Sequence, residues 1–158
     1  MVGAMDFPSE FVLQSRVAFH ETDLAGIVHF SRFFLYMEEA EHAFWRARGL
    51  SIAPNAGPER VYGWPRVSAA CDYLAPLRFE DEFEVRVIVL ERRTRSIRYG
   101  FLLTRLADKV LCARGTLTAV CVQSDGAGGM RAVEFPASVE TAFCAAAPER
   151  IRELGWTP

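Results

Sequence analysis

The chain has 158 residues, 51% of them hydrophobic, and a formal net charge of −2. That length suits one domain, here read as spanning 1–158, and the apolar content excludes a disordered chain. The small, mixed charge gives no basic face for nucleic acid and no charged tail. No stretch approaches the roughly 20 apolar residues of a membrane helix. The N-terminal MVGAMDFPSE has neither the basic start nor the apolar run of a signal peptide. A soluble, cytoplasmic protein with no membrane or nucleic-acid partner is therefore expected. Cys71, Cys112, Cys121 and Cys144 form no C-x-x-C pair and have no histidine at metal-ligand spacing, so reduced, buried thiols and no metal are expected.

In chain order, Phe11 to His20 reads as a strand carrying Val12, Val17 and Phe19. A loop, HETDLAGIV, follows from His20 to Val28. The spacing of Phe30, Phe33, Phe34, Met37, Ala40, Phe44 and Ala47 then predicts a long amphipathic helix, with Arg32, Glu39, His42 and Arg46 on its other side. It runs about 18 residues, near 27 Å at the helical rise. Ser31 suits its start, and Gly49, after Arg46 and Arg48, its end. Glu39 and Glu41 read as surface charges. Pro54, Asn55, Gly57 and Pro58 mark a loop.

Beyond that loop the period changes to two. Tyr62 to Leu74 reads as a strand, and PLRFED as a turn. Phe83, Val85, Val87 and Val89 alternate with Glu82, Glu84 and Arg86. RRTRS is the next turn, and Ile97 to Leu106 the next strand. Asp108-Lys109 turns the chain into a long strand from Val110 to Gln123, with Leu111, Ala113, Leu117, Ala119 and Cys121 on one face. After the loop SDGAGGM, a short strand is expected at Arg131 to Phe135. A C-terminal helix is expected over about 137–155, outside a core of about 11–136. Strand, long helix, then hairpin-linked antiparallel strands make an α+β fold, one long helix on a curved antiparallel sheet of about five to six strands. Long apolar strands covered on one face only leave edges that invite pairing, so a homodimer or homotetramer is expected.

The loop before the helix holds the candidate chemistry. Gly26 allows a positive-φ turn or close approach of a ligand. The first N–H groups of the helix have no partner within it, and with the helix dipole they can hold an oxyanion. Asp23, on the preceding loop, could face the same carbonyl and attack it or activate water. The residues alone leave a second use open, since Thr-Asp before a glycine is also turn vocabulary.

RVAFHETDLAGIVHFSRFF resembles the signature of the 4-hydroxybenzoyl-CoA thioesterase family of hotdog-fold proteins. The resemblance runs through Arg16-Val17, Thr22-Asp23, Gly26-Ile27-Val28, Phe30 and Phe33, continues through Glu38 and Ala40, and resumes weakly at WPRVSAACDYLAPLRFED and LERRTRS. It covers most of residues 11–123. It implies a hotdog fold whose protomers pair with active sites at the interface, and an acyl-CoA thioester as substrate. Asp23 matches the catalytic carboxylate, as nucleophile or general base. The Phe30 backbone N–H matches the donor that polarises the thioester carbonyl, and Glu38 an acidic helix position near the site. Gly26, Val28 and His29 fall on the substrate side of this loop.

Arg93, Thr94 and Arg95 match the family's contacts to the CoA phosphates. Arg92, Arg93 and Arg95 in one turn suit a phosphate on chemical grounds too, although a solvated hairpin turn uses the same residues. Trp64 and Pro65 match a strand lining the acyl pocket, where a large ring would narrow it or stack on an aromatic acyl group, unless Trp64 packs in the core. A thioester is already activated, so one carboxylate and a helix start suffice without a triad, and no G-x-S-x-G occurs. No cofactor is expected beyond the coenzyme A carried by the substrate. His20 at a strand end, His29 at the helix start and His42 on the polar face read as ordinary histidines, with His29 alone placed to touch substrate or water. A hotdog hydratase or dehydratase would pair a histidine with its acid, and none matches here. A thioester-binding protein without turnover would not need the acid.

Overall fold

The computed structural model describes residues 9–53 and 62–157. The predicted loop residues Pro54, Asn55, Gly57 and Pro58 lie outside them. In chain order come β1 (Glu10–Arg16), α1 (Arg32–Ala47), β2 (Arg66–Tyr73), β3 (Glu82–Arg92), β4 (Ser96–Arg105), β5 (Leu111–Val120), β6 (Val122–Ser124), β7 (Met130–Ala132), α2 (Ala137–Glu140) and α3 (Pro148–Glu153). Five strands form one antiparallel sheet in the order β1-β3-β4-β5-β2, and β6 and β7 form a separate pair.

The period of two in β3 does what it predicts. Phe83, Val85, Val87 and Val89 point to one face and are fully buried, beside Tyr99, Phe101 and Leu103 of β4. Helix α1 lies on that face with Phe33, Met37, Ala40 and Phe44. Gly115 of β5 permits the close approach. A Cβ there would fall on the Met37 sulfur and 3.1 Å from the Ala70 carbonyl. The helix ends as expected, with Gly49 at φ +71° and the Leu50 N–H returning to the Trp45 carbonyl at 3.0 Å.

The buried arc of α1 is wider than the predicted stripe. Tyr36, Ala43 and Trp45 are buried, whereas Ala47 is exposed and Phe30 is 62% exposed. Glu41, predicted at the surface, is fully buried. Its carboxylate accepts from the Arg66 guanidinium, with Nη1 to Oε1 at 3.0 Å and a second bond from Nη2. The sheet embraces the helix on more than one side, so a position off the apolar stripe still meets β2.

Other expectations change for similar reasons. The first strand stops at Arg16, although the Val17 N–H still bonds in register to the Asp81 carbonyl (3.0 Å). A 3₁₀ turn follows over Phe19–Glu21, so His20 does not end a strand. PLRFED does not close a hairpin. The chain bonds to the Cys112 carbonyl through Leu74 and Ala75, buries Leu77, and crosses from β2 at one sheet edge to β3 near the other. The last long strand breaks at Cys121, although its N–H still bonds in register to the Arg95 carbonyl (2.8 Å), and β7 is shorter than expected.

The C-terminal helix is two short ones, interrupted where the Ala146 N–H joins the Val89 carbonyl (2.9 Å) and Pro148 opens α3. This segment straps the outer sheet face, packing Ala146 and Ile151 on Ile88, with Leu90, Leu154 and Trp156 against them. Arg150 and Arg86 both bind Glu10 to hold it there. All four thiols are free, with Cys112 and Cys121 buried as expected, Cys71 half-buried and Cys144 exposed.

Candidate active site

The loop between the 3₁₀ turn and α1 is a tight hairpin. Thr22 bridges Val28, and the Asp23 N–H donates to the Ile27 carbonyl (2.9 Å). The Gly26 N–H returns to the Asp23 carbonyl (3.0 Å), and Gly26 then takes φ +73°, where a side chain would strain the backbone. Asp23 Oδ1 accepts the Ala25 N–H at 2.8 Å. The turn reading of Asp23 is met, since one carboxylate oxygen shapes the turn, and the side chain remains half-buried at the loop surface.

The loop is bolted at its far end. Val28 is buried, and its N–H binds the Leu77 carbonyl (2.8 Å). The His29 N–H donates to the Glu21 carbonyl (2.8 Å). The Glu21 side chain accepts from the Ala18 N–H (2.7 Å) and from the buried Tyr36 hydroxyl (2.8 Å). Burial, and then the Glu21 carboxylate, hold the Tyr36 phenol far above its ordinary range, so it stays a donor.

Ser31 occupies the position before α1 as expected, yet it does not cap the helix. Its backbone is already helical, and its hydroxyl lies 2.8 Å from His29 Nδ1. The Ser31 N–H also leans on that nitrogen at 3.4 Å. The helix start is left open. Among the described residues the Phe30 N–H has no backbone acceptor. The Phe30 ring stands out over the His29 ring at 4.5 Å, and the Tyr73 hydroxyl donates to the Phe30 carbonyl at 3.0 Å.

The structure thus brings Asp23, Gly26, Val28, His29 and Phe30 into one continuous loop and helix start. Glu38 lies further along α1, exposed. Trp64, Pro65, Arg93, Thr94 and Arg95 form a second group elsewhere. Trp64 meets Trp45 edge-on (4.8 Å) and Phe135 (5.3 Å), so it packs against the core while staying only partly buried. The Pro65 carbonyl accepts from Val120 (3.1 Å), the Thr94 carbonyl from Phe135 (3.2 Å) and the Arg95 carbonyl from Cys121.

The three arginines part company. Arg92 turns inward over Phe135 (5.4 Å), toward Glu140, while Arg93 and Arg95 are exposed and Arg93 pairs with Glu91 at 2.8 Å. The two groups lie at opposite ends of β2, with Tyr73 at the Phe30 end and Arg66 at the Trp64 end. That strand of 8 residues spans roughly 23 Å at the strand rise. Sequence reasoning missed Glu21, Tyr36 and Tyr73. The spacing of Glu21 three residues after Ala18 carried a turn signal, and nothing local marks the two tyrosines.

One long helix held by a five-stranded antiparallel sheet, with an acid-bearing loop entering an uncapped helix start, defines a hotdog-fold protein. The profile of the thioesterase-like superfamily matches residues 17–143. The chain belongs to that superfamily. It is 25% identical to the acyl-CoA thioesterase YbgC of Haemophilus influenzae, over 84% of this chain and 93% of that protein. It is 26% identical to the 4-hydroxybenzoyl-CoA thioesterase of a Pseudomonas species, over 79% and 91%. Among solved structures, a gentisyl-coenzyme A thioesterase matches with a TM-score of 0.72 at 28% identity, over 85% of this chain and 100% of that one.

Proposed function

We propose that the protein hydrolyses an acyl-CoA thioester to a free acid and coenzyme A, with Asp23 as the reacting carboxylate and the Phe30 N–H as the oxyanion donor. The observation that carries this reading is the Phe30 N–H, open at an uncapped helix start, one short hairpin away from Asp23. With Ala25 holding one Asp23 oxygen, the other is available for the carbonyl carbon. Its attack forms a C–O bond and moves the carbonyl pair onto oxygen, where the Phe30 N–H and the helix dipole stabilise it. Collapse breaks the C–S bond and releases the CoA thiolate. Water then cleaves the mixed anhydride and restores Asp23. Alternatively, Asp23 takes the proton of a water that attacks directly, with the same donor and leaving group. Neither route calls for a cofactor beyond the CoA of the substrate.

The relatives named above act on aromatic acyl-CoAs in two cases of three, so aromatic thioesters head the substrate panel. Arg93 and Arg95 are the proposed CoA-phosphate contacts, with Thr94 between them. Trp64, beside Pro65, is the proposed wall of the acyl pocket. Glu38 is assigned an outer role near the site. We place the protein in the cytoplasm, which suits its free thiols and a CoA substrate. No described helix is long and apolar enough to cross a membrane.

The proposed assembly is a homodimer, alone or doubled to a tetramer. The free edge of β2 presents exposed Val67, Ala69, Ala70, Tyr73 and Leu74. Antiparallel pairing of two such edges would set the Trp64 and Arg93–Arg95 end of one copy beside the Asp23 end of the other.

A second reading has one observation in its favour. The Asp23–Ala25 bond would also suit a thioester-binding protein that never turns over. Asp23→Asn separates the two, because an amide oxygen keeps the turn bond and loses the charge. Free-thiol release from aromatic and aliphatic acyl-CoAs is the assay. Loss of at least roughly a hundredfold in kcat supports the enzyme. Wild-type turnover in Asp23→Asn removes Asp23 from the chemistry, and binding without any thiol release supports the second reading.

A further inference from the structure

An open N–H stabilises an oxyanion only if it is aimed and cannot swing, because donor strength falls steeply with angle and pre-organisation removes the reorganisation cost. Phe30 is held on its upstream side by the His29 N–H on the Glu21 carbonyl (2.8 Å) and the Arg32 N–H on the His29 carbonyl (2.9 Å). On its downstream side, the hold that reaches across from the sheet is the Tyr73 hydroxyl on the Phe30 carbonyl, from 43 residues away.

The contacts close into a ring. The Tyr73 ring stands edge-on to Phe33 at 5.1 Å, and Phe33 edge-on to Tyr36 at 6.1 Å. The Tyr36 hydroxyl binds the Glu21 carboxylate, and the Glu21 backbone carbonyl holds His29. Phe30 sits between the two ends of this chain with its own N–H left open. We propose that Tyr73 is a positioning residue for catalysis, fixing the residue 30 backbone so that its N–H stays aimed at the thioester oxygen. This rests on the thioesterase reading of the site. It adds a residue that touches neither substrate nor reacting atoms, and it makes strand β2 a working part of the site as well as a sheet edge. A tyrosine phenol is protonated at neutral pH, so the hydroxyl remains a donor.

The test compares wild type, Tyr73→Phe and Asp23→Asn on one acyl-CoA. Phenylalanine keeps the ring contact with Phe33 and removes only the hydroxyl. The expected result is a kcat lower by roughly tenfold, with KM within about twofold and an unchanged thermal midpoint, as for a misaimed group that still binds substrate. In protein labelled with ¹⁵N-phenylalanine, the Phe30 amide signal should shift and exchange differently, with the other phenylalanines unmoved. A Tyr73→Phe enzyme with wild-type kcat overturns the proposal. So does a loss confined to KM, which would make Tyr73 a substrate contact, or a fall in thermal midpoint that accounts for the lost activity. Failure of the thioesterase reading looks different: Asp23→Asn then keeps wild-type turnover, whatever Tyr73→Phe does.

Discussion

The two ends of helix α1 handle a carboxylate in opposite ways. At the C-terminal half, Glu41 is fully buried beside Tyr99, and its oxygens are answered by Arg66. The Trp45 indole N–H donates to the Tyr99 hydroxyl at 3.0 Å, so this polar cluster has its partners in place. At the N-terminal end, Asp23 stays at the surface, the helix has no side-chain cap, and Phe30 projects outward. A buried charge must be paired to be tolerated, whereas a group meant for a ligand must be left open. The difference locates a sealed, paired charge at one end of a single helix and the proposed chemistry at the other.

The sharpest way to break this contrast is Arg66→Met. It strips Glu41 of its partner, and by analogy with other broken buried pairs it should cost about 3–5 kcal/mol in denaturant unfolding. Turnover per folded molecule should survive. If stability barely moves, the sealed end is not a stability element.

A pH titration of stability sharpens the same point. Burial pushes the Glu41 carboxyl from 4.5 up to about 7 against the pull of Arg66, with Glu38 adding to the rise and Tyr99 opposing it. The folded state then holds this proton more tightly than the unfolded state. The contribution is fully present below about pH 4.5 and is lost as pH rises through about 7. Glu41→Gln should flatten that part of the profile, and an unchanged slope would deny Glu41 the role.

Between the two ends, Gly115→Ala should cost about 1–3 kcal/mol, because the new methyl meets Met37 and the Ala70 carbonyl in a packed seam. At the open end, Gly26→Ala meets no neighbouring atom, yet it must hold φ +73°. A cost of about 1 kcal/mol is expected, with a larger proportional loss of kcat as the turn under Asp23 relaxes. The smallest stability effect should belong to Asp23→Asn, within about 0.5 kcal/mol, since its turn bond persists. A large destabilisation there would mean that Asp23 is chiefly structural.

Much of this could be read along the chain. The alternation of Phe83, Val85, Val87 and Val89, the helical spacing from Phe33 to Phe44, the stop at Gly49 and the turn at Gly26 all follow local rules, because period and φ preference are carried by neighbouring residues. The candidate loop was legible for the same reason, as an acid, a glycine and a helix start within a few residues. The long-range facts were not. Glu41 read as a surface charge because its partner Arg66 lies 25 residues away on another element. Tyr73 carried no signal because its acceptor is a backbone carbonyl 43 residues earlier. The C-terminal segment read as one helix although Pro148 is a local break; what no neighbouring residue shows is that Ala146 joins the Val89 carbonyl and lays Ile151 on Ile88. Sequence alone determined the long helix, the alternation of the central strands, the turns at Gly26 and Gly49 and the family resemblance, all written in neighbouring residues. Only the tertiary structure decided which charge is sealed, which strand becomes the edge and which groups hold the open N–H, because those depend on contacts between residues far apart in the chain.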